Sequence, residues 1–221
     1  MPFRNRVDAG RRRAEALAAY KNQQAVVLAL PRGGVPVGAE IAKALEAPLD
    51  LVLVRKIGVP FQPELAMGAV VDGREPMVVR NENVIELTGV SESEFAAIRD
   101  REIEEIERRR KLYLGDRPHP EIKGHTAIVV DDGIATGATT RAALRAIRQR
   151  APRKLVLAVP VAPTPSLAEL RDEADDIVCL EDYEDFGAIG YFYDDFRQTS
   201  DAEVIELLKQ AKTAAPAPDG S

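Results

Sequence analysis

Five short runs of apolar, mostly β-branched residues recur along the chain, and most of them are apolar throughout rather than alternating with polar residues. Runs of this kind are typical of strands whose sheet is covered by helices on both faces. Helical patterns lie between several of the runs, and this alternation predicts an α/β protein with a mostly parallel, doubly wound sheet. The predicted strands occupy residues 25–30, 49–54, 126–130, 154–161 and, more weakly, 176–180, and the predicted helices occupy residues 11–20, 39–45, 138–150 and 166–173.

The segment from about residue 57 to residue 124 interrupts this alternation. Within it, residues 66–71 and 76–79 predict a β-hairpin around a glycine-containing turn. Ser91 and Glu94 then form the pattern of a capping box, so we expect a helix from there to about Leu114. We therefore expect one domain over residues 1–213, with this insertion and a small C-terminal hood at about 181–200, followed by a disordered tail at 214–221.

Composition disfavours several classes of protein. The chain of 221 residues has a formal net charge of −6, which argues against a nucleic-acid partner held by a large basic surface. Cys179 is the only cysteine, so no intrachain disulfide can form, and its apolar neighbours predict a buried structural thiol. No apolar run is long enough to span a membrane and no signal peptide is visible, so we expect a cytoplasmic protein with no membrane partner.

The segment that carries the chemistry extends from residue 128 to residue 139. A buried strand ends in Asp131 and Asp132, a loop of small and hydroxyl residues follows, and a helix then begins. Ligands bind at the carboxyl ends of parallel strands, and backbone N–H groups at a helix N-terminus bind phosphate. Because carboxylates accept hydrogen bonds from hydroxyls, the pattern favours a phosphorylated sugar as ligand. The alternative is a plain strand–turn–helix unit in which Asp132 caps the helix.

The same segment resembles the signature of type I phosphoribosyltransferases, which bind 5-phosphoribosyl-1-pyrophosphate (PRPP): a hydrophobic strand, two acids, a short variable stretch and Thr-Gly-x-Thr. The resemblance implies a Rossmann-like, mostly parallel sheet with a β-hairpin and helix insertion and a small hood. It also implies that Asp131 and Asp132 are catalytic, hold the ribose 2- and 3-hydroxyls, and contact Mg²⁺ indirectly through those hydroxyls or water. The implied ligands of the 5-phosphate are Ala135, Thr136, Gly137, Ala138 and Thr139.

Two further segments are similar to parts of the same family. Arg32, Gly33 and Gly34 follow the first predicted strand and resemble the loop that binds the diphosphate of PRPP. Arg55 and Lys56 follow the second predicted strand and resemble a cationic pair in adenine phosphoribosyltransferases, which implies a catalytic role on the diphosphate. Alone, the first segment also fits a simple tight turn and the second fits solvated charges at a strand end. Together with the acid pair, we expect them to converge on one edge of the sheet.

The acceptor site is predicted from the hood. The chain has five Tyr and six Phe residues, and six of these rings lie within residues 183–196. In the fold that the resemblance implies, an aromatic ring of the hood often stacks on the base. Tyr183 and Phe186 are therefore the candidate base-binding residues, while simple packing of the hood is the alternative for each ring. Ala135 stands where hypoxanthine-guanine enzymes carry an acid, which makes those bases less favoured unless Glu64 or Asp72 supplies another proton acceptor.

The implied function is transfer of the ribose 5-phosphate group of PRPP to a nitrogenous base, purine-like, with release of pyrophosphate and with Mg²⁺ as cofactor. Residues 61–89 are the candidate lid, and a homodimer is compatible with the fold. Three segments are also similar to a widespread bacterial family of predicted phosphoribosyltransferases whose substrate is not settled: the pattern Phe3-Arg4-x-Arg6-x-x-Ala9-Gly10, residues 55–66 and residues 182–201. A PRPP-binding regulator without catalysis is the main alternative. A sugar-phosphate hydrolase is disfavoured because the sequence offers no nucleophile or metal cluster beyond the acid pair.

Overall fold

The computed structural model describes residues 2–73 and 75–214, with side chains described up to residue 211. The helices are α1 Arg6–Ala16, α2 Gly34–Leu45, α3 Glu82–Thr88, α4 Glu92–Leu114, α5 Ala138–Gln149, α6 Thr164–Leu170 and α7 Asp201–Ala214. The strands are β1 Ala25–Ala29, β2 Leu49–Leu51, β3 Val54–Val59, β4 Gln62–Val71, β5 Met77–Arg80, β6 Thr126–Val130, β7 Lys154–Pro163 and β8 Asp176–Tyr183.

Five of the strands form a parallel sheet in the order β2-β1-β6-β7-β8. Every residue of β1 and β6 is buried, because successive side chains enter two different apolar clusters on the two faces of the sheet. Residues of α1, α2 and α7 belong to the cluster on one face, and residues of α5 and α6 belong to the cluster on the other. This arrangement confirms the predicted Rossmann-like, doubly wound α/β fold.

The strand order reverses between β1 and β6. From β1 the chain continues outward to β2 on one side, whereas from β6 it continues to β7 and β8 on the other. In open α/β sheets the crevice outside the carboxyl ends of the strands at such a reversal is the usual ligand site. The segments after Ala29 and after Val130 therefore border the expected binding crevice.

The predicted strand at residues 49–54 is wrong as a single element. Its first half is β2, at the edge of the parallel sheet, whereas Val54 begins β3, which belongs to a second, antiparallel sheet of order β3-β4-β5. Between them, the backbone N–H of Leu53 donates to Asp72 Oδ1 at 2.9 Å, and the backbone N–H of Asp72 donates to the carbonyl of Leu53 at 2.9 Å. Because both halves of the run are largely buried, its apolar pattern gave no sign of the change of sheet.

The insertion contains the elements expected there and two that were not. The predicted hairpin is β4–β5, and β3 pairs with the other edge of β4 to complete the second sheet, which packs between α4 and α5. The capping box is confirmed: Ser91 Oγ accepts from the backbone of Glu94, whose side chain accepts from the backbone of Ser91. Strand β3, as part of this sheet, and helix α3 were not predicted, nor was helix α7 near the C-terminus. Of the predicted tail, residues 215–221 lie outside the described residues.

The hood is tied to the beginning of the chain. The backbone N–H of Phe3 donates to the carbonyl of Phe192 at 2.8 Å, and the backbone N–H of Asp194 donates to the carbonyl of Phe3 at 2.9 Å. Phe3 is fully buried and contacts the ring of Tyr193. The residues that lead into α1 are thereby fixed against the carboxyl side of the sheet. None of the described helices is long and apolar enough to cross a bilayer.

Candidate active site

Two adjacent carboxylates follow β6 at the point where the strand order reverses. Asp131 Oδ1 accepts a hydrogen bond of 2.9 Å from the backbone N–H of Asp132, and Asp132 is only 9% exposed. Burial, and then the charge of Asp132, raise the pKa of Asp131 well above its usual value. The N-cap of α5 is Gly137, so the alternative in which Asp132 caps this helix is wrong. Two largely buried acids beside a crevice are typical of a ligand site.

The loop between the acids and α5 has the form of a phosphate cradle. Gly137 has a φ of +73°, in the left-handed region, and no side chain caps the N-terminus of α5. The first backbone N–H groups of the helix are therefore free of a side-chain acceptor and point toward the loop. Two hydrogen bonds anchor the loop to the neighbouring strand and helix. The backbone N–H of Ile134 donates to the carbonyl of Val161 in β7 at 3.0 Å, and Ser166 Oγ in α6 donates to the carbonyl of Ala135 at 3.0 Å.

Within this cradle the predicted 5-phosphate residues differ in exposure. Gly137 is buried, as its left-handed conformation inside the turn requires. The other four are exposed: Ala135, Thr136, Ala138 and Thr139.

The loop after β1 lies directly against the acid pair. A Cβ atom on Gly33 would overlap the carboxylate of Asp132, and one on Gly34 would lie 2.7 Å from the carbonyl of Val130. A side chain at Gly33 would displace the Asp132 carboxylate, and one at Gly34 would clash with the backbone of β6. The peptide bond between Pro31 and Arg32 is cis. The predicted diphosphate loop and the predicted ribose-binding acids are thus brought together.

Arg55 and Lys56 do not lie at the end of a parallel strand, as the sequence predicted, but inside β3 of the second sheet. Neighbouring residues of a strand point to opposite faces, so the two cations separate. Arg55 Nε donates to Glu102 Oε2 of α4 at 2.7 Å. Lys56 instead lines a groove of about 440 Å³ that Ala138 and Thr139 of the phosphate cradle also line. The structure therefore brings Lys56, but not Arg55, to the cradle.

Two site residues were not predicted. Arg6 Nε donates to Asp132 Oδ2 at 2.7 Å, and Tyr193 Oη donates to the backbone carbonyl of Asp132 at 2.6 Å. Arg6 belongs to the pattern at the front of the chain that was singled out without a role. Its partner lies 126 residues away, and no local periodicity reports a contact over such a separation.

Comparison with known proteins decides the family of this fold and site. Residues 4–197 match the family described as "Phosphoribosyl transferase domain". The chain belongs to the phosphoribosyltransferase family.

Relatives of this phosphoribosyltransferase support the assignment. The chain is 44% identical over 209 residues to "Putative phosphoribosyl transferase Rv0571c" of Mycobacterium tuberculosis (strain ATCC 25618 / H37Rv); this similarity covers 95% of the chain and 47% of that protein. A second strain, CDC 1551 / Oshkosh, has "Putative phosphoribosyl transferase MT0597" with the same identity and coverage. The chain therefore spans about half the length of the curated relatives it matches.

A solved structure supports the fold independently of the family match. The protein TT1426 from Thermus thermophilus is 40% identical to this phosphoribosyltransferase and superimposes with a TM-score of 0.83. The superposition covers 95% of this chain and 99% of that chain, so the parallel sheet, the second sheet and the hood all fall within the shared fold.

The two predicted base-binding rings differ in exposure. Phe186 is 9% exposed and stacks on Phe192 with a centroid separation of 4.8 Å. Tyr183 is 38% exposed, also stacks on Phe192 at 4.8 Å, and donates from Oη to Glu181 Oε2 at 2.7 Å. Phe186 thus packs inside the aromatic cluster of the hood, whereas Tyr183 lies at its exposed margin.

The two candidate proton acceptors also differ. Asp72 is buried and its Oδ2 accepts from Arg110 at 3.0 Å, while its Oδ1 accepts from the backbone of Leu53. Both oxygens of Asp72 are thus engaged with protein donors and connect the second sheet to α4, which argues against a role as a base. Glu64 is exposed on β4 and stays a prediction.

Proposed function

We propose that this phosphoribosyltransferase transfers the ribose 5-phosphate group of PRPP to a nitrogenous base, purine-like, and releases pyrophosphate. One observation carries the proposal: the loop at Gly33 touches the carboxylate of Asp132, and a phosphate cradle follows that acid directly. A diphosphate, two sugar hydroxyls and a 5-phosphate are the three groups of PRPP, and they require three such neighbouring segments. The spacing of the segments supports PRPP better than a ligand with a single phosphate.

The donor would be bound mainly by backbone groups and the two acids. Asp131 and Asp132 accept from the ribose 2- and 3-hydroxyls. The backbone N–H groups of residues 135–139 and the threonine hydroxyls hold the 5-phosphate, helped by the positive end of α5. The loop at residues 32–34 faces the diphosphate. Arg32, which is partly exposed and has its Nη1 3.4 Å from Asp201 Oδ1, supplies positive charge there.

Mg²⁺ fits this donor set as an ion that arrives with the substrate. Within residues 2–73 and 75–214, no group of three or more His, Cys, Asp or Glu side chains could hold a metal ion by itself. Mg²⁺ usually keeps water and binds through one or two carboxylates together with substrate phosphates, which suits the pair Asp131 and Asp132. When bound, it neutralises the negative charge that develops on the departing diphosphate.

The protein groups would lower the barrier by holding the leaving diphosphate and the ribose in fixed positions. The reaction breaks the bond between the anomeric carbon and the diphosphate and forms a bond from that carbon to a ring nitrogen. Positive charge at Arg32 stabilises the departing diphosphate. Lys56 lines the groove beside the phosphate cradle and adds positive charge there. Water competes as nucleophile, and the β3-β4-β5 sheet beside the cradle is the candidate element that excludes it.

The acceptor would bind under the hood. Tyr183 is the more accessible of the two rings and has an exposed edge that can contact a flat base. Phe186 would contribute indirectly, as part of the aromatic cluster that supports Tyr183 through Phe192. Ala135 offers no proton acceptor beside the phosphate cradle, which favours a base that reacts without help from an acid at this position. Hypoxanthine and guanine are accordingly less favoured than an adenine-like base.

Calorimetric titration of PRPP in the presence of Mg²⁺ tests donor binding. We expect the native chain to bind PRPP and Asp132→Asn to lose at least about tenfold in affinity, because a hydrogen bond to a charged acceptor is replaced by a neutral one. Asp172→Asn, at an exposed position in the turn after α6, is the matched control and should bind as the native chain does. Absence of PRPP binding by the native chain would refute the proposal.

A further inference from the structure

We infer that Arg6 is a positioning residue for sugar recognition, which fixes the Asp132 carboxylate and connects it to the hood. This inference rests on the proposed function, since it concerns the same acid and the same sugar. Arg6 is the first residue of α1, and its Nε lies 2.7 Å from Asp132 Oδ2. Both side chains are nearly buried, at 11% and 12% exposure, so water screens the pair weakly.

The guanidinium of Arg6 is held on two other sides. Its Nη1 donates to the backbone carbonyl of Arg197 at 2.7 Å, and its central carbon lies 4.0 Å from the centroid of the Phe196 ring. Both partners belong to the last part of the hood. A planar cation with one edge on a carboxylate, another on a carbonyl and its face on a ring has little freedom to rotate.

The start of α1 is itself fixed, so that Arg6 is presented in one orientation. Asn5 caps the helix by accepting from the backbone N–H of Asp8 at 2.9 Å. Phe3 is joined to the hood by two backbone hydrogen bonds, to Phe192 and Asp194. The pattern Phe3-Arg4-x-Arg6 at the front of the chain is thereby explained: the phenylalanine anchors the segment and the second arginine reaches the acid.

Asp132 depends on this contact for its orientation. Among the described residues, Arg6 is the one cationic side chain in an ion pair with Asp132. The other hydrogen bond from the hood, donated by Tyr193, reaches the backbone carbonyl and not the carboxylate. With Oδ2 fixed by Arg6, the carboxylate is held in one orientation. Without Arg6, the carboxylate can rotate about its own bond and lose its alignment with a sugar hydroxyl.

The test separates sugar recognition from phosphate recognition. Binding of ribose 5-phosphate and of inorganic phosphate is measured by calorimetry for the native chain, Arg6→Gln, Arg6→Lys and Arg4→Gln. Arg4 is the matched control, since it lies in the same segment, is 78% exposed and pairs with Asp8 rather than with the site. The ratio of the two dissociation constants reports how much the sugar contributes to binding beyond its phosphate.

We expect Arg6→Gln to weaken ribose 5-phosphate about tenfold, the usual effect of losing a charge-assisted contact, while inorganic phosphate binds as before. Arg6→Lys, which keeps the charge, should recover part of the loss. Phe196→Leu removes the ring under the guanidinium and should give an intermediate loss, and it supplies the test if Arg6→Gln does not fold. Arg4→Gln should bind both ligands normally.

The inference is overturned if Arg6→Gln and Phe196→Leu both keep the native ratio, or if both ligands weaken equally, which would be the result of a purely structural role. Failure of the proposed function gives a different result: the native chain would then bind ribose 5-phosphate no better than inorganic phosphate, before any substitution is made.

Discussion

Gly33 lies so close to Asp132 that a Cβ atom at this position would overlap the carboxylate, whereas a Cβ atom on the next residue, Gly34, would lie 2.7 Å from the backbone carbonyl of Val130. The two adjacent glycines therefore face different obstacles. A side chain can turn away from an intruding methyl group, but the backbone of a buried central strand cannot. The contact also joins the loop after β1 to the acid pair after β6, the two segments that border the crevice.

Alanine at these two positions should consequently give different defects. Gly34→Ala is expected to lower stability by about 1–3 kcal/mol, the usual cost of overpacking, and to lower the Tm by about 2–4 °C for each kcal/mol. Gly33→Ala should lower the Tm less but weaken ribose 5-phosphate binding about tenfold or more, because Asp132 must turn away from its contact with Arg6. Thermal unfolding and calorimetric titration of both variants check this. Equal effects in both assays would contradict the geometry.

Lys56 and Arg55 are neighbours in β3 with different expected roles. Lys56→Ala should weaken inorganic phosphate binding about tenfold with little change in Tm, since Lys56 shares a groove with Thr139 of the phosphate cradle. Arg55→Ala should instead lower stability by about 0.5–1 kcal/mol, because Glu102 loses its partner. Phosphate titration and thermal unfolding of the two variants provide the measurement. Equal loss of phosphate affinity in both variants would contradict the separation of the two cations on opposite faces of β3.

Cys179 should be unreactive in the folded chain. Burial raises the pKa of its thiol from 9.0 to about 11, so the thiolate fraction at pH 8 is about 100-fold below that of the unfolded chain. Alkylation by iodoacetamide at pH 8, followed by mass spectrometry, should be slow in buffer and fast in denaturant. Cys179 is partly buried, rather than fully buried as the sequence predicted. Rapid alkylation of the folded chain would contradict the raised pKa of its thiol.

The same shift predicts a pH dependence of stability. Because the folded pKa of Cys179 lies above the unfolded value, its contribution to the free energy of unfolding is fully present below pH 9 and is lost as the pH rises to about 11. Denaturant unfolding between pH 8 and pH 11 should therefore show a steeper loss of stability in the native chain than in Cys179→Ala. Parallel curves for the two proteins would argue against the shift.

Much of the site could be predicted from the sequence because its chemistry is contiguous. Asp131 and Asp132 with residues 135–139 form one uninterrupted segment, so strand, acids, loop and helix N-terminus could be identified together. The glycines after β1 could be predicted for the same reason. The parallel sheet could be predicted because its strands, such as Thr126–Val130, are buried on both faces and therefore apolar along their length.

What the sequence did not reveal depends on contacts between distant segments. The run at residues 49–54 is mostly apolar and buried in both halves, yet Asp72, which closes the junction at Leu53, lies in another part of the chain. Because β2 and β3 were predicted as one strand, Arg55 and Lys56 were placed at the carboxyl edge of the parallel sheet, whereas they lie inside β3 of the second sheet. Arg6 was missed because the carboxylate it holds is 126 residues away. Local patterns report burial and turn chemistry, but they do not report which charged side chains meet in the folded protein.

The most direct test of the proposed function is the release of pyrophosphate from PRPP and Mg²⁺ in the presence of a panel of purine and pyrimidine bases, with one reaction that contains no base. We predict release with a purine-like base, little release without base, and loss of release in Asp132→Asn but not in Asp172→Asn. A native chain that binds PRPP yet releases no pyrophosphate with any base would contradict catalysis and support the PRPP-binding regulator instead.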